Sequence, residues 1–389
     1  MSNEQLETIN ADGINSSVTP DSLYLTPKLG FGLMRLPMKG AEVDIEQTKR
    51  MADLCMENGF NYFDTAHGYI NGLSEKAVKP VLSERYPRDS FTLANKLSWW
   101  CVKNGDLEGF FNKQLEDTGA GYFDCYLLHS LTADAAKKYE DMGVWQFAAE
   151  KKRQGQIKHI GFSFHDRAEV LEDILRKHPE AEFVQLQINY SDWESPGVQA
   201  RLCYETARRY GKGVIVMEPV KGGALADLPA SAKRFFDAVA PGKSQASFAM
   251  RFAASLDGVI TVLSGMSDEA QARDNISTMR DFTPLTGDET DAVAAAAEAI
   301  KNAPRIPCTA CGYCAENCPE KIPIPSIIRG AYNSWLAFEN RDYARGTYNF
   351  ECLGKPKASA CVSCRACDDV CPQKLPVCEL VGKCAELFE

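Results

Sequence analysis

Eight cysteines near the end of the chain restrict its fold more than any other feature. Cys308, Cys311, Cys314 and Cys318 run as C-x₂-C-x₂-C-x₃-C with Pro319 behind them, and Cys361, Cys364, Cys367 and Cys371 repeat the spacing with Pro372 behind. Eleven of the fifteen cysteines crowd the last 82 residues, while Cys55, Cys101, Cys125 and Cys203 stand singly in the first 300. The first two dozen residues are polar and acidic and carry no signal for export, so these thiols are expected in a reducing, cytoplasmic setting. There they act as metal ligands or free thiols and not as disulfides.

The doubled run is that of a bacterial ferredoxin, which predicts two 4Fe-4S clusters. Three closely spaced thiolates each take one iron of a cube, and the fourth, displaced by three residues and a proline, turns away to the other cube. Cys308, Cys311, Cys314 and Cys371 are therefore assigned to one cluster, and Cys361, Cys364, Cys367 and Cys318 to its partner. The 42 residues between the runs carry helical patterns, which points to a helical ferredoxin-like domain. Cys352, Cys378 and Cys384 fall outside the spacing and read as ordinary thiols.

Ahead of this domain, short β-rich runs alternate with helical patterns. The strands are LGFGLM at 29, FNYFD at 60, FTLANKL at 91, YFDCYLLH at 122, IKHIGFS at 157, EFVQLQIN at 182, GVIVM at 213 and GVITVL at 258. Residues 45–58, 107–116, 144–155 and 198–210 have apolar residues at helical spacing. Eight alternations predict an α/β chain with a (β/α)₈ TIM barrel, a doubly wound open sheet being the competing arrangement. No strand leads into GxGxxG, so a Rossmann nucleotide site has no support. An Ala-rich helix over 288–302 ends before Pro304. The expected organisation is a flexible segment over 1–22, a barrel over 23–303 and a 4Fe-4S domain over 304–389.

The net charge of −10 and the lack of a Lys/Arg run argue against nucleic acid or an anionic membrane as partner, and no apolar run is long enough for a membrane helix. Small molecules, or another protein, remain.

Four polar residues fall at expected strand ends, where a barrel places its active site: Asp64, Tyr69 in DTAHGY, Lys96 and His129. FDTAHGY, LANKLSWW and CYLLHS resemble, in order, three motifs of the aldo-keto reductase superfamily. The resemblance implies Asp64, Tyr69, Lys96 and His129 as a catalytic tetrad reducing an aldehyde or ketone to an alcohol, or the reverse, with NAD(H) or NADP(H). The chemistry agrees. A Tyr with a pKa of about 10 is a poor acid at neutral pH, a nearby Lys96 is expected to lower that pKa with Asp64 holding it charged, and His129 can steady the developing oxyanion. Trp99 and Trp100 line the substrate pocket or pack in the core.

The same resemblance implies nicotinamide contacts from Ser163 and Gln185, stacking by Met217, and an adenosine-phosphate loop with Gly265, Ser267, Gln271 and Asn275. LGFGLMRLP resembles the first strand of a subgroup with C-terminal ferredoxin-like domains, with Met34 and Arg35 near the cofactor. Phe164 stands where the family often has Asn, and Met217 where it often has an aromatic ring. Gln271 replaces an Arg that NADP-preferring members carry, which favours NADH unless Arg273 or Arg280 takes over that role. Hydride transfer moves two electrons and each cluster one, so a direct link between them calls for a flavin, for which the sequence has no motif. Three functions follow: a nicotinamide-dependent carbonyl reductase with clusters for electron transfer or stability, a cluster-driven reductase fed by a ferredoxin-type donor, and a redox-sensing regulatory protein.

Overall fold

A computed structural model describes residues 19–389, together with the backbone of Thr8–Ile9 and Asn15–Ser16, which pair as an antiparallel ladder. The segment expected to be flexible over 1–22 lies mostly outside the described residues. By internal packing the described residues form two units, one running to Pro219 and taking in Ser247–Leu285, the other made of Val220–Ala246 and Thr286–Glu389.

The first unit holds all eight expected strands: β1 Leu29–Gly32, β2 Tyr62–Asp64, β3 Thr92–Leu97, β4 Phe123–Leu131, β5 Ile157–Phe164, β6 Phe183–Gln187, β7 Gly213–Met217 and β8 Val259–Ser264. Each pairs in parallel with its sequence neighbour, and β8 closes onto β1. Helices return the chain between strands. Asp44 starts Ile45–Glu57 by accepting from Gln47 N, and Asp106 starts Leu107–Thr118 by accepting from Gly109 N. The latter helix ends at Gly119, whose φ of 63° lets its N–H reach back to Leu115 O.

Strand side chains alternate between the helices and the barrel interior. Tyr62, Ala94, Cys125, Leu127, Phe183, Ile215 and Leu263 belong to one buried apolar cluster in that interior. Large and small residues share the layer: a Cβ on Gly161 would lie 2.6 Å from the Phe183 ring, so only glycine fits opposite that phenylalanine. Full burial of side chains this size contributes about 1.5–3 kcal/mol each. This plug closes the barrel and leaves the next inward residue on each strand at the mouth.

In the second unit, helix Gly287–Lys301 opens on a capping box between Thr286 and Glu289 and packs on Ala230–Val239. The expected boundary at 303/304 places this helix with the barrel sequence; by internal packing it groups with residues 304–389. Residues 304–389 are helical as expected, with Asn333–Phe338, Arg341–Glu351 and Val377–Phe388 the longest α-helices. Ile324, Ile327, Tyr348, Val381, Cys384 and Phe388 share their core. Cys352 and Cys384 are buried thiols. The Tyr348 hydroxyl accepts from Ala358 N and donates to Glu389, tying the terminal helix down. Among the described residues, no helix is long and apolar enough to cross a membrane.

Candidate functional site

Moving two residues on from the barrel plug gives the polar layer: Asp64 after Tyr62, Lys96 after Ala94, His129 after Leu127, Ser163 after Gly161, Gln185 after Phe183 and Met217 after Ile215. The alternation of each strand thus carries these six to the barrel mouth.

Lys96 Nζ lies 2.5 Å from Asp64 Oδ1 and 2.9 Å from the Thr65 carbonyl, and both side chains are sealed from solvent. Burial alone would lower the Lys96 pKa, but Asp64 and Tyr69 outweigh it and the net shift is upward, so the lysine is charged. Burial raises the pKa of Asp64 and the ammonium opposes that rise.

Tyr69 enters on the turn after β2, with its ring centroid 4.9 Å from Lys96 Nζ and 5.9 Å from the His129 ring. Its pKa departs from expectation. Burial pushes it up, and the downward pull of Lys96 does not offset that, so the residue is held as a phenol. Behind it Ile70, Asn71 and Gly72 all adopt positive φ, of 49°, 54° and 85°. For a β-branched residue such as Ile70 this is a strained conformation, with a cost of about 1–3 kcal/mol.

His129 is buried, and its pKa falls well below the usual value, first through burial and then through Lys96 and His165. The ring is neutral. Its Nδ1 lies 2.7 Å from Ser98 Oγ, and its backbone N–H donates to the Tyr139 hydroxyl, which in turn donates to the Leu97 carbonyl. Trp100, 48% exposed, tilts against His129 at 5.2 Å, whereas Trp99 lies under Lys138 Nζ at 3.6 Å. Neither tryptophan is a core residue.

Three features of this site were not read from the sequence. His165 follows Ser163 by two positions, just past the end of β5, where its N–H donates to the Leu131 carbonyl and its side chain is exposed. The strand period alone would have found it. Ser98 and Tyr139 fix His129. Below them the fully buried Glu75 takes hydrogen bonds from Asn95 and Gln114 and pairs with His67 at 2.7 Å. Asn95 and Gln114 lie 20 and 39 residues away in sequence, and no local pattern connects them.

Ser163 and Gln185 are register partners on β5 and β6. Ser163 Oγ accepts from Ser130 N, and Gln185 Oε1 is buried without a partner. Such an atom calls for a donor, and a carboxamide N–H supplies one. Met217 ends β7, half-buried. On the opposite rim Ser267 Oγ donates to the Arg35 carbonyl, and a Cβ on Gly265 would lie 3.3 Å from the Arg35 side chain. Asn275 Nδ2 donates to Ser264 Oγ. Gln271 is engaged locally, accepting from Ser267 N and donating to Asp268 Oδ2. Arg273 pairs with Glu269, and Arg280 lies at the far end of helix Glu269–Arg280 against Asp281 and Asn58. Met34 and Arg35 are exposed.

In the second unit the eight cysteines of the doubled run line two hollows. Cys308, Cys311, Cys314 and Cys371 line one, and Cys318, Cys361, Cys364 and Cys367 line the other. Among the described residues no three His, Cys, Asp or Glu side chains gather tightly enough to hold a single metal ion.

The Aldo/keto reductase family matches residues 28–298, and a 4Fe-4S dicluster domain matches residues 307–375. The chain belongs to the aldo-keto reductase family and carries an iron–sulfur domain of the dicluster type behind its barrel. The uncharacterized oxidoreductase YqkF of Bacillus subtilis strain 168 is 23% identical over 277 residues, 64% of this chain and 86% of that protein. An aldo-keto reductase of Mycobacterium sp. strain MCS is 26% identical over 253 residues, 65% of this chain and 82% of that one. Among solved structures, the aldo-keto reductase AKR11C1 of Bacillus halodurans, in its holo form, aligns with a TM-score of 0.53 at 23% identity, over 75% of this chain and 95% of its own. An aldo-keto reductase of Klebsiella pneumoniae in complex with NADPH aligns with a TM-score of 0.55 at 17% identity, over 69% and 90%. At these identities the structural likeness speaks for the barrel fold.

Proposed function

We propose that the barrel is a nicotinamide-dependent carbonyl reductase, running also as an alcohol dehydrogenase, and that Asp64, Tyr69, Lys96 and His129 perform its proton chemistry. The observation that carries this reading is the sealed Asp64–Lys96 pair beside a phenol and opposite a neutral imidazole. A reduced nicotinamide, once bound, supplies a hydride to the carbonyl carbon. The Tyr69 hydroxyl gives its proton to the carbonyl oxygen, and the Lys96 ammonium stabilises the phenolate left behind. With Nδ1 of His129 taken by Ser98, Nε2 is the ring nitrogen free to donate to the same oxygen. Ser163 and the unpartnered Gln185 Oε1 would hold the carboxamide, Met217 would pack on the ring, and Arg35, Gly265, Ser267 and Asn275 would border the phosphates. The occupied Gln271 favours NADH over NADPH.

The two hollows suit polynuclear clusters, because four thiols surround a space in each and do not converge on a point. Cys308, Cys311, Cys314 and Cys371 would hold one 4Fe-4S cluster, and Cys361, Cys364, Cys367 and Cys318 the other. Such clusters exchange single electrons, which gives the domain a route to an electron-transfer protein.

Tyr69→Phe tests the barrel reading: turnover of aldehydes should vanish while the Kd for NADH stays within about twofold, and retained turnover would overturn it. Anaerobic mixing with NADH tests the link between the units. Clusters that stay oxidised while aldehyde consumes NADH mark the barrel as self-contained; clusters that bleach mark one electron path.

A further inference from the structure

The loop that presents Tyr69 is closed at its base by its own side chains. Residues 67–75 follow β2, pass through the positive-φ positions Ile70, Asn71 and Gly72, and enter helix Leu73–Val78. Ile70 and Asn71 are strained there and not buried, so their conformation has to be imposed from the two ends of the loop. Ser74 Oγ donates to the Leu33 carbonyl at 2.9 Å, which leaves it to accept from the Thr65 hydroxyl at 2.7 Å. His67 Nδ1 meets Glu75 Oε2 at 2.7 Å, joining the first residue of the loop to the last.

The second oxygen of Glu75 is bonded to a different element. Oε1 accepts from Asn95 Nδ2 at 2.9 Å and from Gln114 Nε2 at 2.7 Å. Those two side chains in turn hold the backbone of Lys96 on β3: Asn95 Oδ1 accepts from Lys96 N at 2.8 Å, and Gln114 Nε2 donates to the Lys96 carbonyl at 3.0 Å. The Tyr126 hydroxyl fixes Gln114 by donating to its Oε1 at 2.6 Å. A carboxylate with no exposed surface is costly unless donors satisfy it, and three donors do so here. An apolar side chain could fill the same space, but only directed bonds tie the loop of Tyr69 and the strand of Lys96 to one group.

We infer that Glu75 and His67 are positioning residues for carbonyl reduction: the carboxylate holds the Tyr69 loop through His67 and the Lys96 strand through Asn95 and Gln114, and so sets the phenol against the ammonium. This rests on the reading of Tyr69 as the proton donor and Lys96 as its partner. Besides Lys96, the Tyr69 side chain is faced by Asp64, Glu218 and the His129 ring. Of these charges Lys96 alone favours the phenolate, so a loop that swings away from β3 loses that help. His67 itself packs on the Phe110 ring at 5.1 Å and feels the opposed charges of Lys113 and Asp117, which leaves Glu75 as the group that directs it.

The test is steady-state kinetics on the full-length protein with His67→Ala, whose side chain is only half-buried and whose loss leaves Asn95 and Gln114 on Glu75. Because a misplacement of about 1 Å can cost up to roughly 100-fold, kcat for aldehyde reduction should fall about tenfold or more, with KM for aldehyde and Kd for NADH within about twofold. The pH profile of alcohol oxidation, which needs the Tyr69 phenolate, should move up by about one unit. His67→Gln restores a donor to Glu75 and should recover most of the rate. Glu75→Gln, which sets an amide NH₂ against the imidazole, should lose rate in the same way. A folded His67→Ala enzyme with wild-type kcat and an unmoved profile would overturn the inference and leave the tetrad intact. A loss of kcat matched by a rise in KM and Kd, with no recovery in His67→Gln, would mark a merely structural contact and overturn it too. Turnover retained by Tyr69→Phe would instead overturn the reading on which it stands.

Discussion

Ser98 Oγ and His129 Nδ1 lie 2.7 Å apart where neither side chain is open to solvent, and this contact decides which imidazole nitrogen faces the barrel mouth. Ser98→Ala should leave Nδ1 unpaired and free the ring to turn. With a hydrogen bond worth about 1 kcal/mol, kcat for aldehyde reduction should fall several-fold, to roughly tenfold. Stopped-flow turnover with saturating NADH measures this, and an unchanged kcat would remove Ser98 from the mechanism.

Removing one partner of the sealed Asp64–Lys96 pair leaves an uncompensated charge. Asp64→Asn should lower unfolding free energy by about 3–5 kcal/mol and reduce turnover as well. Urea denaturation followed by tryptophan fluorescence reads the first effect. A stability within about 0.5 kcal/mol of wild type would mean that the site is wetter than its burial indicates.

His67 provides a pH signature. Its pKa is raised, first by its hydrogen bond to Glu75, against the opposing effect of burial. A histidine raised in the folded state contributes stability that is fully present below its unfolded pKa of about 6.5 and is lost as pH rises through the folded value. The stability difference between wild type and His67→Gln should therefore be greatest in mild acid and fade above neutrality. Urea midpoints collected from pH 5.5 to 8.5, roughly a unit or two on either side of that reference value, measure it. A difference that grows with pH would reverse the assignment.

The nucleotide loop makes a specificity prediction. Gln271 is tied to Ser267 N and Asp268, so kcat/KM should favour NADH, and Gln271→Arg should move the ratio toward NADPH. A charge-assisted contact of about 1.5–3 kcal/mol corresponds to a shift of roughly 10-fold to 100-fold. Steady-state kinetics with both cofactors decides the matter; a wild type already selective for NADPH would show that another residue binds the 2′-phosphate.

The barrel was readable because its eight strands alternate in a period that the chain itself displays, and the same period brings Asp64, Lys96, His129, Ser163 and Gln185 to one layer. The cysteine spacing likewise showed which thiols share a hollow, because ligand spacing is local within each run and the two runs are copies. What escaped was long-range or collective. Glu75 sits in a short helix whose pattern gives no reason to expect a fully buried carboxylate, and only the folded chain brings Asn95 and Gln114 to it. The direction of the Tyr69 shift depended on whether burial or Lys96 prevails, a balance of magnitudes that residue identity does not contain. Helix Gly287–Lys301 was legible as an Ala-rich run ending before Pro304, but what it packs against was not.

Each hollow of the second unit takes three thiols from one cysteine run and the fourth from the other. During synthesis, then, neither hollow has all four of its thiols when residue 318 leaves the ribosome, and the first gains its last only with Cys371. Iron delivered to the nascent first run meets three thiols and an open side. On the proposed cluster reading, insertion would have to wait until both runs are made, and any stall or premature stop between the runs would leave both sites incomplete together.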